Sequence, residues 1–364
     1  MPLFSPLQMG ALALPNRILM ASLTRIRAGA QHIPGDLLAE YYRQRASAGL
    51  IFTEATMVAG DARAFGEEAG LYGPAHVAGW RRVTDAVHAA GGRIAVQLWH
   101  PGRATHPDLN GGVQPVSSSA KPLRGDVIST PSGKQAYPTP RALRTDELPG
   151  IVELFRRAAE NAKAAGFDAV LIHGAHGYLI DQFLRDGVND RTDGYGGSIA
   201  NRARLLFEIV DAANGVLGPD RVGVRLSPYV QFNDMVDSDV PALVAHVAAG
   251  LQERGNAFFE MRHAKNDAPA EREIARLARE NFRGALILNG GFTRESGDAA
   301  IREGRADAIS YGLPFIANPD LPARFAKNAP LSAADPSTFY GAGAKGYTDY
   351  PALAAAPIEA RNLA

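Results

Sequence analysis

Gly166-Phe167-Asp168-Ala169-Val170-Leu171-Ile172-His173-Gly174-Ala175-His176-Gly177-Tyr178 holds one unit of the fold. Gly166 ends a helical run that begins near Thr145-Asp146-Glu147, where a cap is offered. Residues 169–173 are apolar up to His173, as expected of a strand covered on both faces. The chain then enters a polar turn broken by glycines. Working outward, the same order recurs along the sequence. Strand-like runs occupy 17–21, 50–54, 94–98, 169–173, 222–226, 257–261, 286–289 and 308–311. Helical patterns lie between them, including 201–216 and 241–254. This alternation predicts an α/β protein, a single (β/α)8 TIM barrel over 1–364. An open doubly wound sheet is the other topology, but its glycine-rich fingerprint after the first strand is absent.

Two stretches depart from the repeat. Residues 99–144 separate the third strand from its helix and are rich in Gly, Pro and Ser. A loop of that length in a compact domain reads as a lid or binding insertion. The tail, 330–364, is Pro/Ala/Gly-rich but carries Phe339, Tyr340 and Tyr347 as anchors, so it is expected to pack on the barrel.

Composition narrows the chemistry. Cysteine is absent, which excludes disulfides, thiolate zinc sites and cysteine-ligated clusters and fits a reducing cytoplasm. Lys+Arg and Asp+Glu both number 38, so nothing points to nucleic acid. The start, Met1-Pro2-Leu3-Phe4-Ser5, lacks a signal-peptide pattern, and no apolar run is long enough for a membrane span.

A barrel of this kind builds its site from the C-terminal ends of its strands. Those ends carry Thr24, Glu54-Ala55-Thr56, Gln97 with Trp99-His100, the His173–His176–Tyr178 cluster, Arg225, Gly290-Gly291 and Gly312. Thr24 and Gln97 are also ordinary loop-edge polar residues. Arg225 is different: a fixed cation on an apolar strand must be paired or face a site. Two histidines three apart, set among glycines, bring donors and backbone close to a ligand. His173 and His176 with Glu54 could alternatively bind zinc or iron, although no third ligand stands at a diagnostic spacing. The glycines after the seventh and eighth strands lie where such barrels hold phosphate, and are also common turn residues.

At these residues the chain resembles the Old Yellow Enzyme family, in particular its bacterial branch of nitrate-ester and maleimide reductases. The resemblance runs through nearly the whole length. It is carried by Pro15-Asn16-Arg17, Leu23-Thr24-Arg25, Tyr41-Tyr42-Arg43-Gln44-Arg45-Ala46 and Val96-Gln97-Leu98-Trp99-His100. It continues through Asp181-Gln182-Phe183-Leu184, Tyr195-Gly196-Gly197-Ser198, Ala317-Asn318-Pro319-Asp320 and Gly346-Tyr347-Thr348-Asp349-Tyr350.

The resemblance implies non-covalent FMN, reduced by NADPH or NADH, and reduction of activated C=C bonds in enones, enals, maleimides and nitroalkenes. Thr24, Ala55, Gln97 and Arg225 would meet the flavin ring, and Gly290, Gly291 and Gly312, followed by Leu313, its phosphate. His173 and His176 would bind the substrate oxygen and Tyr178 would donate a proton. Phe65, Trp99, Asn233 and Tyr347 would shape the pocket. No metal is implied, and a monomer or homodimer fits. Nitrate-ester or nitroaromatic reduction is the alternative activity. A metal-dependent lyase or hydrolase and a non-catalytic flavin carrier are more distant readings. Three positions depart from the family pattern. Phe65 replaces a hydroxylated aromatic, Arg262-His263-Ala264-Lys265 differs at the rim, and Leu313 stands where relatives place a phosphate-binding Arg. With Leu313 there, FMN is expected to bind less tightly than in relatives carrying Arg, and Arg294, just beyond the glycines, would compensate only if the following helix pointed it inward.

Overall fold

The apolar runs form strands because their backbone polar groups are satisfied only by neighbouring runs of the same kind. The computed structural model describes residues 1–266, 268–341 and 343–353. Eight strands close into a barrel: β1 Ile18–Met20, β2 Ile51–Met57, β3 Ile94–Trp99, β4 Ala169–His173, β5 Val222–Leu226, β6 Phe258–Arg262, β7 Ala285–Asn289 and β8 Ala308–Tyr311. All neighbours are parallel, and β8 returns to β1. The expected (β/α)8 barrel is the fold.

Strand alternation sorts the core into two layers. Leu19, Phe52, Ala95, Leu171, Phe258 and Ile287 share a buried cluster with Met9, Leu12 and Leu14 of the N-terminal hairpin Leu7–Met9/Leu12–Leu14. Ala11 donates to the carbonyl of Asp220, just before β5, so this hairpin covers the N-terminal mouth. The alternate residues Ile18, Val96, Val170, Ile172, Val224 and Leu288 face the helices. The interior is therefore plugged at one end and open to ligands only at the other.

Some of the surrounding helices begin at a side-chain cap, and others begin without one. The first are α1 Asp36–Arg43, α2 Pro74–Ala89 and α3 Leu148–Ala164. A short 3-10 turn, Thr145–Glu147, precedes α3, and Glu147 accepts from the Arg144 N–H at 2.7 Å. Gly166 has φ +85°, the left-handed value its helix-stop reading requires. After α4 Leu179–Leu184, α5 Ile199–Leu217 starts at Ser198, whose side chain accepts from Asn201 N–H. Asp239 caps α6 Val240–Glu253 through Ala242 N–H. The helices α7 Pro269–Asn281, α8 Arg294–Arg302, α9 Leu313–Ala317 and α10 Leu321–Lys327 follow. Among the described residues no helix is long and apolar enough to cross a membrane.

Residues 99–144 contain a hairpin, Val127–Thr130/Gly133–Ala136, and a short parallel pair, Val116–Ser117/Arg141–Ala142. In the tail, Tyr347 is fully buried and stacks on Tyr41 of α1 at 3.9 Å. Arg25 and Arg27, after β1, donate to the tail carbonyls of Thr338, Phe339, Gly343, Lys345 and Gly346. The part of the tail expectation that covers 354–364 lies outside the described residues.

Candidate active site

β2 does not run straight. Its register against β3 shifts between Phe52 and Ala55, a bulge of the kind that re-aims side chains near sites. Ala55 reaches the open mouth, while Glu54 accepts the backbone N–H groups of Arg25 and Ile26 at 3.2 and 3.3 Å. Burial raises the Glu54 carboxyl to about 7, against those two hydrogen bonds. Glu54 is thus committed to the β1 exit loop. Among the described residues no three His, Asp or Glu converge as metal ligands would.

At the mouth lie two adjoining cavities. One, of about 390 Å³, is lined by Thr24, Ala55, Gln97, His173, His176, Tyr178 and Arg225, and also by Phe65, Phe232, Phe339 and Tyr340. The other, of about 500 Å³, extends from Arg225 to Gly290, Gly291, Gly312, Leu313 and Arg262. Of the strand ends singled out in the sequence, Thr24, Ala55, Gln97, His173, His176, Tyr178, Arg225, Gly290, Gly291 and Gly312 thus surround one continuous space, while Glu54, Thr56, Trp99 and His100 do not line it.

Its electrostatics follow from burial. Arg225 pairs with Glu260 of β6 at 2.7 Å and donates to Asn289 of β7 at 3.2 Å. Ser310 Oγ donates to the other Glu260 oxygen, and Asn289 donates to the Ser310 carbonyl at 2.7 Å. Both charged side chains are almost completely buried, at 5% and 0% exposure. Truncating either would leave an uncompensated ion, at a cost of about 3–5 kcal/mol. This network fixes the guanidinium against the cavity.

His173 and His176 stack with rings 5.6 Å apart, 14° from parallel. Burial and the nearby Arg225 charge hold both imidazoles well below the usual histidine range, so they are neutral at neutral pH. His176 takes a left-handed φ of 56°. Its N–H donates to Ser227 Oγ at 2.7 Å, and its carbonyl accepts from Asn233 Nδ2 at 2.8 Å. Gly177, at φ +70°, lets the turn pass Asn233: a Cβ there would lie 2.6 Å from that side chain. Tyr178 stands 5.4 Å from His173 and is partly buried, and the desolvation pushes its phenol well above the ordinary tyrosine range.

Neither nitrogen of His173 has a hydrogen-bond partner among the described residues, and neither does Gln97 Nε2, Arg225 Nε or Arg262 Nη1. Buried donors left open around one cavity demand a ligand rich in acceptors. The carbonyls, ring nitrogens and phosphate of a flavin mononucleotide fit that demand. Residues 2–332 match the model of the NADH:flavin oxidoreductase / NADH oxidase family.

The chain belongs to that family.

As a member it is an FMN-dependent oxidoreductase of the Old Yellow Enzyme type. It is 44% identical over 354 residues to a probable flavin mononucleotide-dependent alkene reductase of Leishmania infantum, covering 96% of this chain and 97% of that one. It is 42% identical to 12-oxophytodienoate reductase 2 of Arabidopsis thaliana, covering 97% and 96%. Among solved structures, morphinone reductase in complex with tetrahydroNAD superposes with TM-score 0.93 at 47% identity, covering 96% and 97%. The Old Yellow Enzyme homologue of Zymomonas mobilis gives TM-score 0.93 at 43% identity, covering 96% and 99%. The metal-dependent reading is not favoured.

Three expectations placed residues where the structure does not. Tyr347 does not line the cavities: it is sealed between Tyr41 and the Arg25 and Arg27 guanidiniums. Tyr340, seven residues earlier, faces the site instead. Trp99 lies one layer back, fully buried, stacked on Phe65 at 5.8 Å and edge-on to Tyr178 at 5.2 Å. Arg294 is turned away, bonded to Glu295 at 2.8 Å and to the Phe325 carbonyl at 3.1 Å. Asn233 lines a third, outer cavity of about 380 Å³. The sequence reading missed Glu260, although an acid on an apolar strand carries the same signal that marked Arg225. Phe232 and Tyr340 carried no local signal for the site.

Proposed function

We propose that the mouth of this barrel binds an activated alkene by its electron-withdrawing oxygen and reduces the C=C bond. The observation that carries this reading is the grouping of two neutral imidazoles and a protonated phenol beside the buried donors of Gln97 and Arg225. Thr24, Ala55, Gln97 and Arg225 would hold the flavin ring, and Gly290, Gly291 and Gly312 its phosphate end. When bound, FMN supplies hydride transfer with a reduced nicotinamide as the electron source.

The protein's own contribution is positioning and charge. His173 and His176 donate N–H groups to the carbonyl or nitro oxygen and stabilise the negative charge that builds there. Being neutral, they polarise without surrendering a proton. Tyr178 delivers a proton to the carbon next to the activating group. Its raised pKa keeps that proton in place across the physiological range. The outer cavity is walled by Phe65, Val127, Ile128, Tyr137, Phe232 and Tyr340, which favours apolar cyclic substrates.

The test is Tyr178→Phe, assayed anaerobically with NADPH and NADH on 2-cyclohexenone and on a nitrate ester. Reduction of the enone should slow by roughly 10²–10⁴, the usual range for a general acid. Nitrate-ester reduction, which needs no carbon protonation, should hold its rate. Equal losses on both substrates would make Tyr178 a packing residue and overturn its assigned role. Wild-type protein that turned over the nitrate ester but no alkene would favour the alternative activity.

A further inference from the structure

Leu313 leaves the glycine-lined cavity without the cation expected beside it, and Arg294 does not supply one. The same cavity contains a cation from elsewhere. Arg262 ends β6, and its guanidinium lines the wall together with Gly290, Gly291 and Leu313.

Arg262 Nη1 is buried and has no hydrogen-bond partner among the described residues. It also forms no ion pair with a described residue. Its position depends on the glycine beside it. A Cβ built on Gly290 would lie 2.8 Å from Nη1 and 2.3 Å from the His263 carbonyl. Gly290 also holds φ +127°, a value that side-chain-bearing residues avoid. The local backbone therefore admits the guanidinium to the cavity.

Charge balance points the same way. Of the two arginines on this wall, Arg225 is neutralised by Glu260 at 2.7 Å. Behind Arg262 lies Glu271, whose Oε1 accepts the backbone N–H groups of Ala264 at 2.6 Å and Lys265 at 3.4 Å and whose charge attracts Arg262 without forming an ion pair. Burial, and then the neighbouring Arg225 charge, lower the Arg262 pKa against the attraction of Glu271 and Glu260. A half-buried guanidinium whose Nη1 is sealed from solvent and unused, beside two glycines of positive φ, matches a phosphate, which takes bidentate Arg contacts.

We propose that Arg262 is the phosphate-anchoring residue of this protein, reaching the flavin's phosphate from the end of β6 and taking over the role that Leu313 cannot fill. The proposal rests on the assignment of FMN to this cavity. It assigns a function to the Arg262-His263-Ala264-Lys265 segment, where the resemblance led to the expectation of a changed rim.

Riboflavin lacks the phosphate and separates the two assignments. Starting from the FMN-loaded protein, riboflavin competition gives the ratio of the two affinities by fluorescence, without turnover. Arg262→Leu should lower the preference for FMN over riboflavin by roughly 10- to 100-fold, the equivalent of one charged hydrogen-bonded contact. Riboflavin affinity itself should stay within about three-fold, on the same conversion. Arg262→Lys should lie between, and Leu313→Arg in the Arg262→Leu background should recover FMN preference. An unchanged ratio in a variant with a wild-type melting curve would overturn the proposal. An equal loss of both flavins would overturn it too, because Arg262 would then serve the ring or the fold. Wild-type protein that bound neither flavin would overturn the cofactor assignment, and this proposal with it.

Discussion

At the scale of single residues, chemistry depends on which donors burial leaves unmatched. His173 and His176 are the clearest case, because their neutrality is imposed by burial and by Arg225. His173→Ala and His176→Ala should each slow alkene reduction by about 10²–10³, as loss of one oxyanion donor does. Stopped-flow mixing of pre-reduced protein with 2-cyclohexenone measures that step. A uniform loss of bound flavin, with the rate per flavin intact, would instead show them to be structural. Since both imidazoles are already neutral, the wild-type rate should show no break near pH 6.5. A histidine-like break there would contradict the stated charge state. The aromatic residues show how little of this detail is local. Tyr340 and Tyr347 lie in one tail, yet only Tyr340 faces the site. Tyr347 is held away by stacking on Tyr41 and by the Arg25 and Arg27 guanidiniums.

At the scale of elements, the strands set what the loops can reach. The β2 bulge sends Ala55 to the mouth and Glu54 to the β1 exit loop, a division that strand periodicity alone would not produce. The hairpin Val127–Thr130/Gly133–Ala136 places Val127 and Ile128 on the outer cavity, across from Phe232 and Tyr340. Val127 is half exposed, so its apolar surface is available to a substrate. Replacing residues 127–136 with a short Gly-Ser link should leave flavin content unchanged. It should raise KM for bulky cyclic enones roughly ten-fold, about 1.4 kcal/mol of lost contact, and small acyclic ones much less. Steady-state kinetics on a size series checks this. The same KM for every substrate would remove the hairpin from the binding site.

For the whole molecule, Glu54 links stability to pH. Its carboxyl titrates near 7 in the folded chain, above the ordinary value of 4.5. The protonated form therefore favours folding. The contribution is complete below about pH 4.5 and is lost as pH rises through 7, on the order of 3 kcal/mol in all. Glu54→Gln should gain in melting temperature relative to wild type between pH 5 and 8.5, as calorimetry would show. A constant difference across that range would refute the assignment. The barrel itself was legible in the sequence: the strand runs and the stop glycine are specified by residues within a few positions of one another. All eight strand runs and the stop at Gly166 follow from that local code. The polar ends of the strands were legible too, because a charge or glycine cluster closing an apolar run is a local anomaly. Tertiary structure alone decided which distant groups meet. Arg225 is paired by Glu260, and Arg262 rather than Arg294 enters the glycine-lined cavity. These outcomes depend on strand register around a closed barrel and on the path of loops and tail across its mouth. Neither is fixed by the periodicity of any one segment, since a side chain's direction is set by neighbours far away along the chain.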